Sequence, residues 1–190
     1  NILIIMKMKN IIIALWGGIM PFAASAQIPN PDMEQWQTIN REKPSQWTVF
    51  GDAVKVAGFK SPSAVRVSRS ADEGDAPGAI VYGQPDQGFQ GGVPFVGRPD
   101  SFVGFFKNYI KPGDTAWVVA ILKRNGNFIS MTIHQSTGTD SMNFVRTAFA
   151  MQYNDTGLSD TAIVGFTSTN PEDTFMGSWV IGDSLHFVGN

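Results

Sequence analysis

The acidic residues of this chain are candidates for acid–base catalysis or for metal binding. A glycosidase needs two carboxylates facing each other across a cleft, about 5 to 9.5 Å apart. Most acids here lie in segments rich in Gly, Pro and Asn, where turn residues are normally solvated. Glu34 and Asp183 differ, because Glu34 follows the first strand-like apolar residue and Asp183 falls within the last apolar stretch. These two acids are candidates for a joint role, and no catalytic pair is predicted.

A serine and a histidine near the end of the chain form a second suggestive pattern. Residues 182–185 spell Gly-Asp-Ser-Leu, which is also the signature of a family of esterases. A nucleophilic serine needs a base within hydrogen-bond reach and a third group that orients this base. On an extended strand His186 would point the same way as Ser184, and the few residues beyond Leu185 cannot complete a triad. The sequence therefore predicts no esterase and no catalytic residue.

The two histidines and the clustered glycines carry no stronger signal. His134 and His186 are isolated, and a zinc site would want three protein ligands. Both are predicted to be polar residues on sheet faces. The glycines at 88, 91, 92 and 97 lack the strand-to-helix context and the Lys-Ser/Thr of a phosphate loop, so they are predicted to be loop glycines.

Aromatic residues are the candidates for ligand binding. Binding pockets combine an apolar wall with a few polar groups, and sugar binding uses an exposed aromatic face beside planar hydrogen-bonding groups. Residues 115–122 are apolar at successive positions and predict a central strand covered on both faces, and Trp117 lies on it. Phe95 and Arg98 lie in a Gly-rich segment that precedes an aromatic strand. We select Trp117, Phe95 and Arg98 as ligand-binding candidates, with core packing as the alternative for Trp117.

Apolar and polar residues alternate along much of the chain, and Gly, Pro, Asn and Asp interrupt this alternation. The pattern predicts strands joined by turns, and these strands must position the candidate residues. Asn125-Gly126 predicts a tight hairpin. Residues 142–153 could form a helix or a long strand; an apolar set at alternate positions and the lack of helix caps favour the strand. The other predicted strands are residues 53–57, 64–68, 79–82, 101–110, 115–122, 128–135, 162–167 and 179–188. Many short strands with no amphipathic helix between them predict an all-β, two-sheet antiparallel sandwich.

The first 26 residues predict export. Lys7 and Lys9 form a basic region, an apolar run from Ile11 to Ala23 follows, and Ala24-Ser25-Ala26 resembles a signal-peptidase site. The alternative is a membrane anchor, but this run is short of the roughly 20 apolar residues that a spanning helix needs. We predict a signal peptide at 1–26, with 1–5 upstream of the true start, one domain at 27–190, and a secreted or cell-surface location.

Composition limits the partners of this domain. The net charge is −2, and loss of Lys7 and Lys9 with the signal peptide would make it more acidic. An acidic chain lacks the basic surface that nucleic-acid binding requires. No second apolar segment predicts a membrane span in residues 27–190. Cysteine is absent, so an exported fold must be held by core packing, with help from an ion as one option.

Several motifs, taken in order, are similar to one known family. Residues 92–95 (Gly-Val-Pro-Phe), 98–107 (Arg-Pro-Asp-Ser-Phe-Val-Gly-Phe-Phe-Lys) and 112–116 (Pro-Gly-Asp-Thr-Ala) resemble the core of the carbohydrate metabolism domain of secreted Bacteroidota proteins. Residues 30–36 and 44–47 resemble its opening, and residues 177–185 resemble its closing strand. Related jelly-roll domains occur beside type IX sorting domains. The resemblance implies a jelly-roll β-sandwich of the galactose-binding-like type.

The resemblance also implies an ion and a function. In jelly-roll carbohydrate-binding modules the first and last strands lie together, and matching acids help to hold a structural calcium, for which Glu34 and Asp183 are the candidates here. The leading hypothesis is a non-catalytic, glycan-binding surface module. The alternatives are a structural or adhesive module with protein partners and, less favoured, a glycoside or ester hydrolase. An exposed aromatic row on one sheet would favour glycan.

Overall fold

The structure, a computed structural model, describes residues 30–39, 41–71, 76–83 and 91–189. The predicted export segment at 1–26 lies outside these described residues. Within them all regular elements are strands, and no helix there is long and apolar enough to cross a bilayer. The strands are β1 (Trp36–Ile39), β2 (Arg41–Pro44), β3 (Thr48–Phe50), β4 (Asp52–Ala57), β5 (Ser63–Ser68), β6 (Ala79–Tyr82), β7 (Val93–Gly97), β8 (Ser101–Tyr109), β9 (Ala116–Arg124), β10 (Asn127–Ser136), β11 (Thr139–Ala150), β12 (Ser159–Thr167) and β13 (Trp179–Val188).

Two antiparallel sheets form the sandwich, which confirms the predicted all-β, two-sheet jelly roll. The five-stranded sheet has the order β11-β8-β13-β5-β4. The six-stranded sheet has the order β10-β9-β12-β6-β3, with β7 also paired to β12. Strands β1 and β2 form a separate hairpin. Strand β13 therefore lies in the centre of one sheet although it comes last in the chain.

Alternating side chains of both sheets form the core between them. Phe102 and Phe106 point inward from β8, and Val164 and Phe166 point inward from β12. The rings of Phe106 and Phe166 meet nearly at right angles, at 87°, with their centroids 5.7 Å apart. This edge-to-face contact joins the two sheets, and such pairs add about 1 kcal/mol to the burial of their area.

The strand predictions are mostly confirmed. Strand β9 was expected to be central and covered on both faces. Its adjacent residues Ile121 and Leu122 point to opposite faces of the sheet, and both are fully buried. Residues 142–153 fall largely within β11, so the strand alternative is correct. The Asn125-Gly126 hairpin is present, with φ of 51° and 78° at its two residues.

The prediction of a loop glycine is wrong for Gly97, because residues 93–97 form β7. Thr161 of β12 pairs with Pro94, and Ala162 pairs with Val93. The short strands β1, β2 and β3 were not predicted either. All four are short, and β7 contains a proline, which removes a backbone donor and obscures a strand pattern.

Strand β13 departs from regular extension at Ser184. This residue has a φ of +52°, and the pairing of β13 with β8 shifts between Asp183 and His186. Before the shift an even-numbered residue, Val180, faces the core; after it an odd-numbered residue, Leu185, does so. The side of the strand that faces the core therefore changes at the shift. A β-bulge therefore allows Asp183 and Leu185 to occupy different faces of the sheet.

We expect Gly182→Ala to destabilise the sandwich. An added Cβ would lie 2.6 Å from two ring atoms of Phe166, a side chain that is 1% exposed and has no room to move. Overpacking of this kind costs about 1–3 kcal/mol, measurable by urea denaturation. The control is Gly126→Asn, in a hairpin turn where an added Cβ would have nothing within 4 Å and where Asn tolerates the φ of 78° better than most other residues. Equal stability of Gly182→Ala and wild type would contradict the close packing of β13 on β12.

Candidate functional site

The outer face of the five-stranded sheet carries an aromatic row, which we call the aromatic face. Alternate residues of β8 point outward, and three of them, Phe105, Lys107 and Tyr109, belong to this face. Each pairs with a residue of the central strand β13: Tyr109 with Trp179, Lys107 with Ile181, and Phe105 with Asp183. The period of two therefore places the row along the middle of the sheet.

One end of the aromatic face is built around Trp179. The Tyr109 ring is stacked beside the Trp179 ring, with centroids 6.3 Å apart and planes inclined by 26°. The guanidinium carbon of Arg66, from β5, lies 5.2 Å from the centroid of the same Trp179 ring. Tyr109 is 40% exposed, so this cluster presents aromatic surface to solvent.

A polar groove of about 490 Å³ adjoins this end of the aromatic face on β4 and β5. Arg66 belongs to both the Trp179 cluster and the groove. Charged residues of both signs line it, together with a serine and an exposed valine: Glu42, Asp52, Val54, Lys55, Arg66 and Ser68. Opposite charges in similar number favour a ligand that is neutral and rich in hydroxyl groups.

The other end of the aromatic face is a cluster of three phenylalanines. The Phe59 ring lies 5.3 Å from the Phe105 ring and 5.7 Å from the Phe144 ring, which it stacks at 19°. The ammonium group of Lys60 lies 5.2 Å from the centroids of Phe59 and Phe105. Lys107 lies 5.6 Å from the centroid of Phe144. Phe59 is 54% exposed, so its ring remains accessible despite these contacts.

Asp183 holds Phe59 in this position. Its carboxylate is fully buried, and Oδ2 accepts hydrogen bonds from the backbone N–H groups of Phe59 at 2.7 Å and Lys60 at 2.8 Å. Oδ1 accepts bonds from the hydroxyls of Ser61 at 2.8 Å and Ser184 at 3.0 Å. Charge-assisted bonds of this kind are about twice as strong as neutral ones. Asp183 thus ties the β4–β5 turn to the central strand.

Glu34 binds the same turn from the other side. Its Oε1 accepts the backbone N–H of Ser63 at 2.5 Å, and its Oε2 lies 3.4 Å from the Ser63 hydroxyl. The backbone N–H of Leu185 donates to the carbonyl of Pro31 at 2.8 Å, so the segment that precedes β1 contacts the last strand. In the described part of the chain, no three His, Cys, Asp or Glu side chains form a group able to hold a metal.

Ser184 and His186 are not arranged as a nucleophile and its base. The Ser184 hydroxyl donates to Asp183, and the Nδ1 atom of His186 lies 2.8 Å from the Ser184 backbone carbonyl oxygen. The expectation of an extended strand at this point is wrong because of the bulge. Here the Gly-Asp-Ser-Leu motif builds that bulge.

Phe95 and Arg98 have structural contacts where the sequence predicted ligand binding. Phe95 is only 8% exposed, and its ring packs 4.6 Å from that of Phe187 inside the sandwich. Arg98 stacks on Tyr153, with its guanidinium carbon 3.8 Å from the ring centroid, and donates to the carbonyl of Asp155 at 2.6 Å. Arg98 therefore holds the segment before β8 against the loop before β12, and Phe95 packs β7 against β13.

Trp117 lies far from these two residues, on the outer face of the six-stranded sheet. Phe95 lies on β7, which pairs with β12 near Thr161. Trp117 lies on β9 next to Val118, which pairs with Phe166 near the other end of β12. At about 3.3 Å per residue, the two places are roughly 20 Å apart along the sheet. The three predicted ligand residues therefore do not form one site.

An apolar groove of about 410 Å³ lies on the same outer face as Trp117. Val119 and Ile163 line it from β9 and β12, with Phe50, Val81 and Pro171 at its sides. A sugar would find few hydrogen-bonding groups there, in contrast to the groove beside Trp179. The aromatic face is for this reason the stronger candidate.

Sequence reasoning missed the aromatic face, although part of its signal was present. Phe105, Lys107 and Tyr109 alternate along β8, as a row on one face requires. The signal was incomplete because Trp179 and Phe59 join the row only through strand pairing and through the Asp183 hydrogen bonds.

No protein-family model and no curated protein match this chain. Similar solved structures include the arabinose-bound α-L-arabinofuranosidase MgGH51, with 11% identity, a TM-score of 0.50, and coverage of 86% of this chain and 26% of that one. A family 11 carbohydrate-binding module from Clostridium thermocellum, in complex with a β-1,3-1,4-mixed-linked tetrasaccharide, has 14% identity, a TM-score of 0.41, and coverage of 76% and 89%.

The enzymatically active domain of tailspike protein 4 of bacteriophage CBA120 has 13% identity and a TM-score of 0.47, with coverage of 76% of this chain and 19% of that chain. The chain thus spans 19% and 26% of the length of this domain and of the arabinofuranosidase. At these identities the similarity concerns the fold alone.

Proposed function

We propose that this protein is a non-catalytic module that binds a glycan chain on the aromatic face. The observation that carries the proposal is the row of aromatic rings on one outer sheet face, in which Phe59 and Tyr109 are exposed and Trp179 is half-buried. Sugar rings have an apolar C–H surface that packs on aromatic rings, while their hydroxyls need polar partners nearby.

The polar groove beside Trp179 supplies these partners. Arg66 contacts the Trp179 ring and also lines the groove with Glu42 and Asp52. Carboxylate and guanidinium groups form paired hydrogen bonds with neighbouring hydroxyls in a plane, which gives orientation to a ligand held by stacking. The balance of acidic and basic groups supports a neutral glycan over a charged one.

A catalytic role has less support. The serine of the Gly-Asp-Ser-Leu motif donates to a buried carboxylate, and the nearby histidine contacts a backbone oxygen. An adhesive module with a protein partner is the alternative, and failure of every glycan to bind would favour it.

Export of the chain belongs to the same proposal. Polymeric glycans are encountered outside the cell, and the basic, apolar and small-residue regions of the first 26 residues support secretion or surface display.

We expect Trp179→Ala to weaken glycan binding at least tenfold, which corresponds to about 1.4 kcal/mol. The loss follows from removal of the ring that Tyr109 and Arg66 both contact. A glycan-array screen of the full chain identifies the ligand, and calorimetric titration with the strongest hit measures the change. Ile133→Ala, an exposed apolar residue on the other sheet, is the control and should bind like wild type. Unchanged binding by Trp179→Ala would place the glycan elsewhere.

We also infer a structural calcium beside Asp183, and the oxygen atoms around Ser61 support it. The Ser61 hydroxyl lies 2.7 Å from the carbonyl of Asp32, 2.9 Å from that of Ser63 and 2.8 Å from Asp183 Oδ1. A hydroxyl has one proton, so it can donate to only one of these three acceptors. Calcium takes six to eight oxygen ligands, including carboxylates and backbone carbonyls. Asp183, Glu34 and the two carbonyls would hold the ion, which would pin three chain segments.

Chelation should then lower the melting temperature. At a calcium concentration 100 times the dissociation constant, the ion contributes about 2.7 kcal/mol, or about 5 to 10 °C in a chain of this size. We expect EDTA to remove this increment from wild type and from Ser184→Ala, and to have no effect on Asp183→Ala, compared by scanning calorimetry. If wild type melts identically with and without EDTA, Asp183 acts only as an acceptor for backbone amides and hydroxyls.

A further inference from the structure

A second cavity opens between the two sheets, where the edge strands β10 and β11 face each other. We call it the edge cleft; its volume is about 170 Å³. It is separate from the aromatic face, because the two lie on opposite sides of β11: Phe144 points outward to Phe59, while Val145 lines the cleft.

The edge cleft is held open by the pairing of β11. The register of β11 on β8 shifts between Asp140 and Val145. On one side of the shift, the carbonyl of Gly138 accepts bonds from the backbone N–H of Ile110 at 3.1 Å and from Asn108 Nδ2 at 3.0 Å. On the other side, regular pairing resumes from Val145 to Ala150. The strand is therefore tied on both sides of the opening.

The floor of the cleft is apolar and partly aromatic. Phe106 and Phe149 are 8% and 6% exposed, and their rings meet at 5.8 Å with planes inclined by 68°. Val118 and Val180 complete the floor from the two sheets. The His134 ring lies 4.8 Å from that of Phe149 and covers one side.

The rim is polar, and no lysine or arginine is among the residues that line the cleft. Asn108, Ser136, Asp140 and Thr147 line it with amide, hydroxyl and carboxylate groups. Apolar floors with several convergent hydrogen-bonding groups suit a ring that carries hydroxyls. A cavity of about 150 Å³ accommodates benzene, so the cleft can hold the ring of one sugar unit, whose substituents would extend to the rim and into solvent.

We propose that the edge cleft binds one neutral sugar ring, as a site additional to the aromatic face. The ligand class rests on the proposed glycan function, whereas the cavity and its lining do not. A glycan chain on the aromatic face can present a branch or a terminal unit around β11, because the two sites share that strand. This second site makes the protein selective for glycans that carry such a unit.

The test is a titration of the ¹⁵N-labelled full chain with methyl β-D-glucopyranoside, methyl β-D-galactopyranoside, methyl α-D-mannopyranoside and methyl β-D-xylopyranoside, followed by amide chemical shifts. For a ligand of this size we expect a dissociation constant on the order of 1 mM for at least one of them. Shifts should concentrate at Ser136, Asp140 and Thr147. Cyclohexanol and benzyltrimethylammonium chloride serve as apolar and cationic probes of the same size class.

Three variants locate the binding. Thr147→Phe fills the cleft and should abolish the chemical-shift changes. Asp140→Ala changes an exposed residue, so the variant should fold normally, and it should weaken binding about tenfold because a hydrogen-bonding group is lost. In Trp179→Ala the shifts that a methyl glycoside causes at Ser136, Asp140 and Thr147 should persist even where binding of the long glycan is lost, because Trp179 does not line the cleft; this separates the proposal from the preceding one. The proposal is overturned if no glycoside shifts these amides at about 50 mM, if only cyclohexanol or the ammonium probe binds, or if Asp140→Ala binds as well as wild type.

Discussion

The buried carboxylate of Asp183 is the interaction on which the rest of this structure depends. Two backbone amides and two hydroxyls donate to it, so its charge is distributed over four hydrogen bonds inside the protein. Removal of the carboxylate would leave buried donors without acceptors, which costs about 1–3 kcal/mol for each. Because Asp183 lies on the central strand β13, these bonds connect the middle of the sheet to the β4–β5 turn, and the Ser61 hydroxyl of this turn also lies 2.7 Å from the carbonyl oxygen of Asp32. The fold without cysteine is joined here by polar contacts instead of a disulfide.

The bulge at Ser184 explains how a polar and an apolar requirement are met within three residues. A regular strand would put Asp183 and Leu185 on the same face, although one must bond to the turn and the other must fill the core. The positive φ of Ser184 adds one residue to β13 relative to β8, which lets both side chains reach their places. Such a conformation is unfavourable for a residue other than glycine, and the surrounding hydrogen bonds compensate for it. The same bulge keeps Phe59 on the aromatic face, because the amide of Phe59 is bound by Asp183.

The two faces of β11 connect the aromatic face with the edge cleft. Adjacent residues of a strand point to opposite faces, so Phe144 stacks on Phe59 while Val145 lines the edge cleft. The pairing of β11 with β8 also shifts between Asp140 and Val145. Edge strands usually carry features that prevent pairing with another chain, and a bulge is one of them. The edge cleft lies at this irregular edge, with the largely buried rings of Phe106 and Phe149 in its floor.

The alternation of apolar and polar residues in the sequence determined nine of the strands and the all-β class. This was possible because the alternation is a local property that does not depend on how the strands are arranged in sheets. It also determined the hairpin at Asn125-Gly126, where the residue types demand positive φ. The short strands β1, β2, β3 and β7 lacked enough alternating residues to be recognised.

The site was decided by tertiary structure: Phe95 has the residue type of a sugar-binding group, but the pairing of β7 with β12 turns its ring into the core. Tyr109 and Trp179 stand 70 residues apart in the sequence and meet only because β13 pairs with β8. Residue type and spacing cannot reveal such a meeting, since it depends on which strands share hydrogen bonds and on the register shift at Ser184.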